Sequence, residues 1–183
     1  ALRVAPYRRR SVGVVSTLLP GLKPSVIDKT LAVLAKRLEP AGANIMQDKR
    51  VPHETDALAR ELADQARSDA QLLVIFGASA IADRRDVIPS AIAKAGGRVE
   101  HFGMPVDPGN LLLIGAIAGK PVIGAPGCAR SPKENGFDWI LHRLLADVPV
   151  TRADIASLGV GGLLMEIVSR PQPREGGESR GEE

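Results

Sequence analysis

The residues best suited to chemistry lie in the run Ala125-Pro126-Gly127-Cys128-Ala129-Arg130-Ser131-Pro132-Lys133-Glu134-Asn135. It combines a Pro-Gly turn, two cations at Arg130 and Lys133, a thiol at Cys128 and a hydroxyl at Ser131. The run follows Pro121–Gly124, which reads as a short buried strand, and leads into Phe137–Leu145, whose apolar spacing predicts a helix. A strand, a turn and a helix N-terminus in succession gather backbone N–H groups that lack internal partners, where the helix dipole is positive. Such a spot suits an anion. A cation there is disfavoured by about 0.3–1 kcal/mol, so Arg130 and Lys133 are either compensated by a negative ligand or are solvated surface side chains. Cys128 is a candidate nucleophile, since a helix N-terminus favours the thiolate. No histidine can be assigned to it by position.

These residues need elements to hold them, and the chain alternates strand and helix. Ser11–Ser16, Ala43–Met46 and Gln71–Phe76 read as strands. Gln71–Phe76 is apolar on both faces, as an interior parallel strand should be. Helices are predicted from Ser25 to Leu38, with Ile27, Leu31, Leu34 and Leu38 as its stripe, from His53 to Arg67, and from Val87 to Ala95. Arg98–Phe102, Leu111–Ile114 and Pro121–Gly124 are further strands, the last two joined at Gly119-Lys120. Met104–Asn110 is a turn segment whose Pro108-Gly109 pair fits a type II turn. This order predicts a three-layer α/β fold, a mostly parallel sheet with helices on both faces and parallel strands at Val12–Ser16, Ile45–Gln47, Leu72–Phe76 and Val122–Gly124. Ligands in such sheets bind beyond the carboxyl ends of the strands. Three segments with small or hydroxyl residues fall there: Ser16-Thr17, Gly77-Ala78-Ser79-Ala80 and Pro126-Gly127.

Composition narrows the function. At 183 residues, with 44% hydrophobic and 25% charged residues, the chain suits one globular domain. The 3% aromatic content argues against a stacking platform for nucleic acid. Thirteen residues from Pro171 to Glu183 carry two arginines and four glutamates and no core-forming residue. They are expected to be a disordered acidic tail or linker beside a domain over 1–170. The formal charge of +3 therefore becomes +5 on the preceding body, which suits a small anionic ligand. One cysteine excludes a disulfide framework, and no zinc spacing occurs, so no metal ligand set is assigned. The apolar run from Leu111 to Gly119 is too short to span a bilayer, and no secretory segment follows Arg8-Arg9-Arg10, so no membrane partner and a cytoplasmic location are expected. Neither a dinucleotide fingerprint nor a P-loop is present. His101 and His142 read as structural or surface histidines. The start at Ala1 suggests a piece of something longer.

Asp28-Lys29, Gly77–Ala80, Asp86-Val87-Ile88-Pro89, and Pro126-Gly127 with Arg130-Ser131 and Lys133-Glu134 occur in this order. The pattern resembles the molybdopterin-binding domain shared by molybdopterin adenylyltransferases, molybdate-insertion enzymes and competence-damage proteins, over about Arg10 to Ala146. The resemblance implies that Gly77–Ala80, Asp86–Pro89 and Pro126–Ser131 surround a pterin and its phosphate. It implies molybdopterin or the molybdenum cofactor as ligand, with magnesium possible. The ligand set expected from residues and resemblance together is Ser16, Thr17, Gly77, Ala78, Ser79, Ala80, Asp86, Pro126, Gly127, Cys128, Arg130, Ser131 and Lys133.

This sequence also departs from the family. Ala78 and Ala80 replace loop glycines, which implies a loop of different shape, because an added Cβ is costly at positive φ. Ile88 stands for threonine. His53, in Val51-Pro52-His53-Glu54, stands where the adenylyltransferases have an aspartate near the metal, and a carboxylate is the harder ligand for magnesium. The expectation is a pterin- or nucleotide-binding domain in molybdenum-cofactor biosynthesis, homo-oligomeric, with a downstream nucleotidyltransferase domain in a longer chain. The alternative is an active magnesium-dependent adenylyl-transfer or phosphate-hydrolysing enzyme using Asp28 and Asp86.

Overall fold

The computed structural model describes residues 3–159. Its apolar runs form one six-stranded sheet: β1 (Ser11–Leu18), β2 (Asn44–Pro52), β3 (Leu72–Phe76), β4 (Arg98–Phe102), β5 (Leu113–Ile117) and β6 (Lys120–Ala125), in the order β2-β1-β3-β6-β5-β4. β2, β1, β3 and β6 run parallel, and β5 is antiparallel to both β6 and β4. β3 lies inside the sheet with all five residues buried. The period of two divides its side chains between the layers: Leu72, Val74 and Phe76 face one core, Leu73 and Ile75 the other.

Helices α1 (Pro24–Leu38) and α4 (Gly136–Leu145) cover the first face, through Leu34, Leu38, Phe137, Ile140 and Leu141. Helices α2 (Thr55–Arg67) and α3 (Val87–Lys94) cover the second, through Leu58, Leu62, Ile88 and Ile92. A short α5 (Arg152–Ser157) closes the described chain and adds Ile155 to the first core. The expected three-layer, mostly parallel α/β architecture is what the chain adopts. The expected tail from Pro171 lies outside the described residues.

Several boundaries differ from expectation for local reasons. α2 begins at Thr55 rather than His53, because the His53 N–H still donates to Leu18 O at 2.8 Å and so continues the β1 ladder. β5 begins at Leu113, because Leu112 is turned back by a bond from its N–H to Gly109 O. The β5–β6 connection is Ala118-Gly119, not Gly119-Lys120. Both residues have positive φ (48° and 79°) and Ile117 pairs with Lys120, the pattern of a two-residue type I′ hairpin. Gly109 takes φ 131°, far from the +80° of a type II turn, and an added Cβ would meet the Gly136 backbone at 2.9 Å.

One side chain ties the first layer to the segment after β6. Arg37, near the end of α1, pairs with Asp138 of α4 and donates to the carbonyls of Ala129 (2.8 Å), Ser131 (2.8 Å) and Lys133 (3.1 Å). Its guanidinium also lies over the Phe137 ring at 5.7 Å. Arg37 and Asp138 are both buried. Removing one partner of a buried ion pair strands the other, at a cost of about 3–5 kcal/mol. Arg37→Ala is therefore expected to lower the urea midpoint by that equivalent, with little rescue by Arg37→Lys, whose ammonium lacks the planar fork. Arg67→Ala, which breaks only an exposed pair with Asp64, should cost under about 1 kcal/mol.

Candidate functional site

α1 leaves β1 over one face of the sheet and α3 follows β3 over the other. Where connections from adjacent strands diverge in this way, a crevice opens at their carboxyl ends. Here it is a cavity of about 240 Å³ lined by Leu22, Val26, Gly77, Ala78, Ser79, Ala80, Ala125, Gly127 and Arg130.

Arg130 supplies the charge. It closes a 3-10 turn, Gly127–Arg130, and its guanidinium donates to Gly77 O at 2.7 Å and to Thr30 Oγ1 at 3.2 Å, while lying 5.5 Å from the Phe76 ring centre. The Thr30 hydroxyl itself donates to Val26 O at 2.8 Å, which leaves its oxygen free to accept. Among the described residues no carboxylate pairs with Arg130, and burial pulls its pKa down from the ordinary guanidinium value. A half-buried cation with only neutral acceptors is an electrostatic deficit that an anion in the crevice would relieve.

The opposite wall is the loop after β3. Ala78 N–H donates to the buried Thr17 Oγ1 at 2.8 Å, Thr17 Oγ1 lies 2.7 Å from His53 Nδ1, and His53 Nε2 lies 3.0 Å from Ser79 Oγ. Neither Ala78 nor Ala80 takes positive φ. Gly77 is required for close approach, since a Cβ there would sit 2.8 Å from Ser79 O and from Ile88 Cδ1. His53 also lines a second hollow of about 360 Å³ with Leu18–Pro20 and Arg50–Glu54.

The two candidate acidic residues are occupied separately. Asp28 on α1 pairs with Arg50 at 2.7 Å, and Arg50 also reaches Asp48. Asp86 precedes α3 and accepts from the N–H groups of Ala82 (2.7 Å) and Asp83 (2.8 Å), so it closes the preceding turn and does not cap α3 through its side chain. Among the described residues no three His, Cys, Asp or Glu side chains come together as a metal site.

The start of α4 is not the open anion site expected of it. Asn135 caps the helix by accepting from Phe137 N–H at 3.1 Å, and Asp138 accepts from Asn135 N–H at 2.8 Å. The cap and the Asp138 carboxylate thus satisfy that terminus from within. Ser131 and Lys133 do not line the crevice; their carbonyls serve Arg37, and Ser131 Oγ accepts from Lys133 N–H. Pro126 is the residue before the 3-10 turn. Ser16 is buried on β1 and its hydroxyl has no partner among the described residues. Cys128 lies 3.7 Å from Asn135 Oδ1, and burial pushes its thiol pKa up, the opposite of what an activated nucleophile needs.

Sequence reasoning missed Leu22 and Val26, which line the crevice, and Thr30, which accepts from Arg130, because these meet only where α1 packs against the 3-10 turn Gly127–Arg130. It also missed the bonding of His53, for which the sequence offers only its position after a strand. His142 accepts or donates at 2.9 Å to Tyr7, a bond that pins the N-terminal segment to α4.

Fold and site together define a three-layer α/β domain with a small crevice, walled in part by one half-buried cation, at the carboxyl edge of its sheet. The family described as "Probable molybdopterin binding domain" matches residues 13–147, and the chain belongs to it. The molybdopterin biosynthesis MoeA protein from Pyrococcus horikosii is similar in structure at 27% identity and TM-score 0.56, over 76% of this chain and 35% of that one. The chain thus spans about a third of that protein's length. Molybdenum cofactor biosynthesis protein B is similar at 17% identity and TM-score 0.52, over 79% of this chain and 98% of that one, a likeness of fold. No curated protein sequence matches. Among the described residues no helix is long and apolar enough to cross a membrane.

Because burial raises its pKa, Cys128 should be alkylated by iodoacetamide at neutral pH more slowly than free cysteine. The rate should climb only as the pH passes above the ordinary thiol range.

Proposed function

We propose that this domain binds molybdopterin, or a phosphorylated or nucleotide form of it, as a step in molybdenum-cofactor biosynthesis. The observation that carries the reading is Arg130, a half-buried cation without a carboxylate, at the wall of the crevice where such sheets bind ligands. The ligand's phosphate would take the free N–H groups of that guanidinium, since only two of its nitrogens are engaged and five donors are available. The small residues Gly77, Ala78, Ala80 and Gly127 leave room for it. Membership of the family supports the pterin, and similarity to the molybdopterin biosynthesis MoeA protein supports the pathway.

In this reading the domain holds its ligand for chemistry done elsewhere, in a cytoplasmic, homo-oligomeric protein whose longer chain carries a nucleotidyltransferase domain. The adenylyl-transfer or phosphate-hydrolysing alternative relies on Asp28 and Asp86. It is disfavoured because each carboxylate already has its own partners, and because Asp28 lies on α1 and Asp86 just before α3, helices that cover opposite faces of the sheet.

Titration of the purified protein with molybdopterin, with and without magnesium, tests the reading. Arg130→Ala should weaken binding by about 1–3 kcal/mol, or roughly 5- to 150-fold, with the fold intact by circular dichroism. An unchanged affinity would remove Arg130 from the site. ATP consumption with molybdopterin present should be negligible. Robust turnover abolished by Asp86→Asn would instead establish the enzyme.

A further inference from the structure

His53 joins the end of β1 to the loop after β3 through its side chain, and its hydrogen bonds have a direction. Thr17 is buried, and its oxygen already accepts from Ala78 N–H. The Thr17 hydroxyl proton therefore needs an acceptor, and the nearest is His53 Nδ1 at 2.7 Å. If Nδ1 carried the proton instead, a buried O–H would be left without a partner, which is costly. The ring proton is thus placed on Nε2, and Nε2–H donates to Ser79 Oγ at 3.0 Å. Ser79 is exposed and lines the crevice. With its oxygen accepting from His53, its own proton points away from the imidazole. The acceptor open to that proton within the loop is Ala80 O at 3.5 Å, a distance at which a hydrogen bond is weak.

We propose that His53 is a positioning residue that commits the Ser79 hydroxyl to donate into the crevice, so that Ser79 and Arg130 hold one anionic group of the ligand from two sides. The chain Ala78 N–H to Thr17, Thr17 to His53 and His53 to Ser79 runs in one direction, and each donor polarises the next. Its last proton is the one offered to the ligand. His53 so takes part in recognition without touching the ligand. The inference rests on the crevice being the ligand site, as proposed above.

The test is a double-mutant cycle on the full chain, read as affinity for molybdopterin and, separately, for inorganic pyrophosphate. Ser79→Ala should weaken binding about tenfold or more, and His53→Phe about three- to tenfold. In the Ser79→Ala background, His53→Phe should cause little further loss, because its effect passes through that hydroxyl. His53→Gln, which keeps a donor near the Nε2 position, should recover part of the affinity that Phe loses. Imidazole nitrogen NMR of the unliganded protein should show the Nε2–H tautomer at His53. Equal losses from His53→Phe in both backgrounds, or the Nδ1–H tautomer, would overturn the proposal. Pyrophosphate binding with the expected cycle but no affinity for molybdopterin would sink the functional reading and leave this one standing. Binding of neither probe would sink both.

Discussion

The crevice depends on a guanidinium that never enters it. Arg37 binds Asp138 and three backbone carbonyls of the segment between β6 and α4, and so holds that segment against α1. The segment has little regular structure and few apolar residues of its own; without Arg37 its carbonyls would have to find other partners. Thr30 and Arg37 are seven residues apart on α1, two turns along one face. Thr30 meets Arg130 while Arg37 meets the segment on either side of it, so one helix face orders the whole stretch.

Two arginines distant in sequence, one on α1 and one within the segment it holds, thus have opposite electrostatic circumstances. Arg37 is compensated by Asp138 and is a structural charge. Arg130 is flanked by a carbonyl, a hydroxyl and an aromatic ring, none of which carries a charge. Desolvation without a counter-charge costs stability in the free protein and is recovered on binding an anion. The same reasoning separates the acidic residues. Asp28 is neutralised by Arg50, and Asp86 spends its carboxylate on two backbone N–H groups, so these two carboxylates are committed while Arg130 meets no counter-charge.

The other wall is a loop that holds its conformation without glycine at positions 78 and 80. Ala78 and Ala80 avoid positive φ, and the conformation is held from outside by Thr17 and His53. A buried hydroxyl and an imidazole do by side-chain bonding what a glycine-rich turn does by backbone freedom.

The amino-acid sequence by itself determined the layers. Unbroken apolar runs such as Leu72–Phe76 must be covered on both faces, and the stripe Ile27, Leu34 and Leu38 must meet a sheet, so element order and a mostly parallel architecture follow from local pattern. It also indicated the edge at which Gly77–Ala80, Gly127 and Arg130 gather, since strand polarity follows from the strand–helix alternation. It gave no sign that Asn135 and Asp138 satisfy the N-terminus of α4 from within, because local spacing does not reveal a capping box. It left Arg130 undecided between ligand and solvent, and gave no sign that Thr17, His53 and Ser79 bond in series. Those outcomes depend on pairs far apart in the chain, such as Arg130 with Thr30 and Gly77, or Thr17 with His53. Such pairs arise only when the sheet brings distant strand ends together, and only the tertiary structure could decide which charge meets a counter-charge and which meets neutral acceptors alone.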